Sequence, residues 1–213
     1  MSEKLNHAYS TSEENLNIWS HAFGLFLSII AFPFLVLKAF NYTGFWKPAS
    51  FIIYGFSLIV LYAASTFYHA AKEPKKRRKL NILDHAAIYV LIAGSYTPLC
   101  LVGLNSSLGI YMAIFVWLFG LIGIVLKLFF TGRFDKISTA MYLLMGWQVV
   151  FFITPLIESL SSFSLNFLFI GGVFYSIGAI LYMIKKLPYN HAIFHLFVLL
   201  GSFSHFLTIY YIL

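Results

Sequence analysis

Seven apolar runs divide this 213-residue chain, at 20–40, 49–70, 84–103, 108–130, 138–157, 165–185 and 191–213. A helix of about 20 residues rising 1.5 Å per residue crosses the ~30 Å hydrocarbon core of a bilayer and satisfies its own backbone hydrogen bonds there. The breaks hold turn-forming residues, at 41–48, Glu73 and Pro74, 103–107, Thr131 and Gly132, 159–164, and Leu187 and Pro188. Connectors this short make successive helices antiparallel neighbours. The expected fold is all-α, a seven-transmembrane helix bundle over 17–213 preceded by a polar tail over 1–16, with no second domain.

Composition excludes the soluble alternative. Hydrophobic residues make up 61% of the chain and charged residues 10%, against roughly a quarter charged in a soluble domain. In water most of the Phe, Leu and Ile side chains would have no core to enter, whereas a bilayer solvates them. The tail lacks the basic start, short apolar stretch and small-residue cleavage site of a secretory signal, so the first helix is expected to remain as an anchor.

The net charge of +7 does not point to nucleic acid, because the basic residues sit in connectors and form no face of their own. They divide unevenly. Lys4, Lys72, Lys75, Lys76, Arg77, Arg78, Lys79, Lys127, Arg133, Lys136, Lys185 and Lys186 fall on the side of the N-terminus, and only Lys38 and Lys47 on the other. Cytoplasmic loops retain Lys and Arg, so the N-terminus is expected in the cytoplasm and the C-terminus outside, in a multi-pass protein of the cell membrane. The dense run at 72–79 suits orientation and contact with lipid headgroups. This orientation is the reverse of a rhodopsin-type receptor, and the last run has no lysine for a retinal Schiff base. With Cys100 as its single cysteine, the chain forms no internal disulfide and no Cys-based metal site.

Ionisable residues inside membrane helices are costly and mark function by default. Here they share one leaflet: His69 at the end of helix 2, Asp84 at the start of helix 3, His191 and His195 in the first turns of helix 7. His191 and His195 are spaced i, i+4, which puts both imidazoles on one helical face. One metal ion bridges such a pair, although an interfacial pair without metal has the same spacing. The spacing is that of the two zincin histidines, but Ala192 stands where that motif carries its glutamate. His69 reads either as a third ligand or as a histidine favoured by the dipole of a helix C-terminus. Asp84 reads either as a carboxylate beside the ligands or as an ordinary N-cap. Three imidazoles with an open fourth position is the coordination of a catalytic zinc. Asp84 would then orient a water or take its proton, and Ser65, one turn before His69, would hydrogen-bond that water or a developing oxyanion. His205 lies ten residues past His195, about 15 Å along the helix, and is expected to pack by hydrogen bonding. His85 is expected at the headgroups, and His7 belongs to the tail.

In order and spacing these residues resemble the PAQR family, which contains the adiponectin receptors and the bacterial hemolysin III proteins. Residues 14–21 (ENLNIWSH) are similar to the family's entry into helix 1, and 65–69 (STFYH) to its S-x-x-x-H. Asp84, the segment 94–98 (GSYTP), and 191–195 (HAIFH) follow in the family's order. The short tail and small size fit the hemolysin III branch, whose members lack the receptors' long N-terminal domain. The resemblance implies zinc held by His69, His191 and His195, with Asp84 and Ser65 beside it, and an N-terminus inside.

Three functions are compatible with that resemblance. The leading one is a zinc-dependent intramembrane hydrolase of a lipid amide or ester, ceramidase-like, with the long acyl chain of its substrate lodged between helices. The second is a membrane-homeostasis regulator or sensor whose zinc is structural. The third is a cytolytic membrane protein, against which stands the lack of any helix with the continuous polar stripe of a water-filled pore. Membrane lipids are the expected partners in each case. The sequence names no protein partner.

Overall fold

The computed structural model describes residues 9–132 and 134–212, all but Asp135 with their side chains. Lys4, His7, Arg133 and Leu213 lie outside the described residues. Seven helices in this structure are long and apolar enough to span a membrane: α1 (Thr11–Ala39), α2 (Trp46–Ala70), α3 (Pro74–Leu104), α4 (Ser107–Phe130), α5 (Lys136–Ser159), α6 (Ser162–Met183) and α7 (Asn190–Tyr210). No strand occurs among the described residues.

Two helices begin nine and ten residues earlier than their apolar runs. The first starts at Thr11, because the Ser10 hydroxyl accepts the Glu13 N–H at 3.2 Å and Glu13 and Glu14 occupy its electropositive first turn. Residues 11–16, expected in the tail, are therefore helical. α3 starts at Pro74, whose fixed φ suits a first helical position. Lys75, Lys76, Arg77, Arg78 and Lys79 are thus its opening turns and not a connector. A hydropathy window cannot see them, although Lys and Arg are good helix formers. Asp84 accordingly lies ten residues into α3 and caps nothing.

Large apolar side chains face outward, and the buried interior mixes apolar with polar residues. Phe26, Phe129 and Phe151 are exposed, while Asn17, Ser57, Ser65, Gln148, Ser202 and Thr208 are buried. Only an apolar surrounding makes that arrangement favourable, and the chain is a multi-pass membrane protein. α3 is the most enclosed helix. Close approach depends on small residues, as a Cβ on Gly24 would strike the Tyr62 ring and one on Gly123 the Tyr89 ring.

Two helices break their regular ladder where the sequence forces it. Pro98 lacks an N–H and crowds the preceding turn, and α3 widens there into a π-helical stretch, Leu99–Leu104. After Gly146, α5 tightens to a 3-10 stretch, Trp147–Phe152. The Tyr96 hydroxyl enters that gap, donating to the Gly146 carbonyl at 2.6 Å and accepting the Val149 N–H at 2.8 Å. The freed backbone groups are thereby satisfied inside the bundle.

α1 packs antiparallel on α2, α2 on α3, and α6 on α7, while α7 also packs on α1. The start of α1, the end of α2, and the starts of α3 and α7 therefore meet at one end of the bundle. The residues singled out by the sequence lie there.

Candidate metal centre

His69 occupies the last turn of α2, and His191 and His195 the first two turns of α7. One ring nitrogen from each lies within 4.8 Å of the others, and all three residues are buried. His69 and His191 face each other, Nε2 to Nε2, across 3.1 Å.

Their partners fix two of the tautomers. His69 Nδ1 meets Glu14 Oε2 at 3.0 Å. His195 Nδ1 meets the Asn17 carbonyl at 3.2 Å and the Ser20 hydroxyl at 3.2 Å. A carboxylate and a carbonyl only accept, so each Nδ1 carries the proton and each Nε2 presents its lone pair. His191 Nδ1 is buried without a hydrogen-bond partner among the described residues, and with a lone pair on His69 Nε2 the 3.1 Å contact between the two Nε2 atoms leaves the His191 proton on Nε2. Three convergent imidazoles, two of them oriented through their far nitrogens, are what a ligand set requires, and the residues fit a metal ion. By donor type they suit zinc, copper, iron or nickel.

Ser65 lies one turn before His69 on α2, and its hydroxyl interacts with the Asp84 carboxylate. Both residues are buried, and both line the same cavity as His191 and His195. Asp84 stands outside the three-nitrogen group. The cavity continues along α3, α5 and α6 past Leu91, Leu99, Val149 and Leu168, and its surface is mostly apolar, although Ser95, Lys127, Thr139, Ser176 and His205 also line it.

His85 and His205 also border the cavity but belong to no ligand group. The His85 ring meets the Asn81 carbonyl at 2.9 Å. His205 bonds the backbone of Leu168 and packs edge-on against Tyr175, ring centroids 5.2 Å apart.

Four further residues complete the site, and none was assigned to it from sequence. His21 of α1 stacks on His195, and both of its nitrogens are buried without hydrogen-bond partners among the described residues. Tyr9, just ahead of α1, covers the outer side, its ring 4.9 Å from that of His191 and 5.9 Å from that of His69. Burial holds the Tyr9 phenol well above its ordinary range, so the ring covers the histidines as a neutral group. Glu14 touches His69, and Arg77 pairs with Glu14. Glu14 and His21 stand within the motif at 14–21, which was the one available signal for them.

The model of the family described as Haemolysin-III related matches residues 9–206, a stretch that contains every residue of this site. The Hemolysin-3 homolog of Bacillus subtilis (strain 168) is 45% identical over 201 residues, 94% of this chain and 94% of that protein. Hemolysin-3 of Bacillus cereus is 41% identical over 215 residues, covering 100% of this chain and 98% of its own. The human monocyte to macrophage differentiation factor is 26% identical over 204 residues, 93% of this chain and 83% of its own. The chain belongs to the Haemolysin-III related family of multi-pass membrane proteins.

Proposed function

We propose that the protein is a zinc-dependent intramembrane hydrolase of lipid amides or esters. The observation that carries this reading is the convergence of three buried histidines, two of which, His191 and His195, line a cavity whose surface is mostly apolar. A zinc ion on three imidazoles keeps an open position, polarises a carbonyl and lowers the pKa of bound water towards ~7.

The chain's own residues supply the rest. The apolar walls formed by Leu91, Leu99, Val149 and Leu168 receive an acyl chain and exclude bulk water, which leaves the scissile carbonyl beside the histidines. Asp84 takes a proton from the attacking water and returns it to the leaving nitrogen or oxygen as the acyl C–N or C–O bond breaks. The Ser65 hydroxyl gives its one proton to the Asp84 carboxylate and turns it to the oxygen on which negative charge develops once Asp84 has taken the proton of the water. The products are a fatty acid and an amine or alcohol.

The test is metal analysis of the purified protein together with fatty-acid release from a panel of N-acyl and O-acyl lipids. Zinc at one per chain with release abolished by Asp84→Asn is the expected result. One zinc per chain with no release from any lipid would instead assign the site to a non-catalytic regulator.

A further inference from the structure

Glu14 is oddly placed for a glutamate in a first helical turn. Such a residue ordinarily points to water, where the helix dipole favours its charge. Here it turns inward: its side chain is 19% exposed and the His69 side chain it meets is 0% exposed. Oε2 lies 3.0 Å from His69 Nδ1, and Oε1 forms an ion pair with Arg77 of α3. Arg77 also donates to the carbonyls of His69 and Ala71 at 3.3 and 3.2 Å. Its guanidinium lies over the Tyr68 ring, 4.8 Å from the centroid. Every contact named for Arg77 thus falls on Glu14, on the turn of α2 that carries His69, or on Ala71 just past it.

We propose that Glu14, held by Arg77, is the positioning residue of the metal centre: it keeps His69 Nδ1 protonated and turned away, so that Nε2 points at the ion. The inference rests on the metal reading above. A carboxylate outranks a carbonyl as the acceptor for a ligating imidazole, because its charge strengthens the hydrogen bond and makes the opposite nitrogen a better donor to the ion. The device ties the first turn of α1 and the opening of α3 to the only ligand that α2 contributes. Binding of the ion is thereby linked to the packing of three helices, and Glu14 contributes without itself touching the ion.

The experiment measures the zinc dissociation constant of the full-length protein by chelator competition, and the visible spectrum after cobalt substitution. Glu14→Gln keeps the shape and an accepting oxygen but loses the charge. It should weaken zinc by about tenfold to a hundredfold and shift the cobalt bands. At the weaker two-imidazole site left by His69→Ala, filled at higher metal concentration, the same substitution should change neither, because the imidazole it acts on is gone. Arg77→Gln leaves Glu14 in place without its tether and should weaken zinc by a smaller factor; it carries the test if Glu14→Gln does not fold. Wild-type protein that takes up no zinc would overturn the metal reading itself. Wild-type protein that binds zinc while neither variant alters affinity or spectrum would overturn the positioning role alone. An equal loss in wild-type and His69→Ala backgrounds would also overturn it, by showing that Glu14 only fastens helices together.

Discussion

His21 lies flat on His195, with ring centroids 3.5 Å apart and planes 7° from parallel. An imidazole offers its lone pairs in its own ring plane, so two parallel stacked rings cannot aim them at one point, and His21 would not share an ion with His195. The stacking therefore separates a fourth histidine from the ligand set although it touches one member. His21→Phe keeps the stacked surface and removes two buried nitrogens that lack partners among the described residues. Zinc stoichiometry should be unchanged, and metal-free stability equal to wild type or higher by about 1 kcal/mol. Metal analysis and thermal melts check this; a zinc loss matching that of a ligand variant would place His21 among the ligands.

In the proposed mechanism Ser65 and Asp84 act on the reaction and not on the ion. Ser65→Ala should leave zinc near its normal content and reduce lipid turnover. Asp84→Asn should retain zinc and lose more activity, about 10²- to 10⁴-fold, as expected for removal of a general base. Parallel metal and activity assays separate the two effects. Zinc lost from Ser65→Ala to the extent seen with a ligand variant would move Ser65 from the reaction to the ion.

How much of this was legible depends on the range of the interaction concerned. His191 and His195 are a local pair on one helix face, and their spacing is readable from sequence alone. His69 joins them only through tertiary packing, yet depth along α2 was enough to suggest it. Asp84 was recognised by type and misplaced by structure, because the basic turns from Lys75 to Lys79 escape a hydropathy window while extending α3 beneath it. The pairing of Glu14 with Arg77 and the stacking of His21 on His195 are set by how α1 meets α3 and α7. No spacing rule within one helix encodes them. The entry of Tyr96 into the α5 ladder is of the same kind.

The orientation is a separate proposal with its own measurement. Twelve of the fourteen basic residues fall on the N-terminal side by the division of Lys and Arg between connectors, which puts that side in the cytoplasm. Reporter fusions at the N-terminus and at the Lys72–Glu73 junction should read as cytoplasmic, and one after Leu213 as external. Both termini on one side would be incompatible with seven membrane crossings.

The ligand set gives the most demanding prediction. His69→Ala, His191→Ala and His195→Ala should each lose most bound zinc, because one ring nitrogen from each converges within 4.8 Å and removal of any one leaves two imidazoles to hold the ion. His85→Ala and His205→Ala should keep it, since the first ring is turned to the Asn81 carbonyl and the second to Leu168 and Tyr175. The stability readout should follow the same division. An ion that binds only the folded state stabilises it by about 2.7 kcal/mol at a hundredfold excess over its dissociation constant, and this ion would join the end of α2 to the start of α7. Zinc added to wild-type protein should therefore raise its melting temperature, while the three ligand variants should melt alike with or without zinc. His205→Ala should melt lower than wild type, from lost packing, yet still respond to zinc, which separates a structural histidine from a ligating one. If His69→Ala retains both its zinc and its zinc-dependent stabilisation, α2 contributes no ligand, the site reduces to the α7 pair, and the three-histidine mechanism no longer has the coordination it requires.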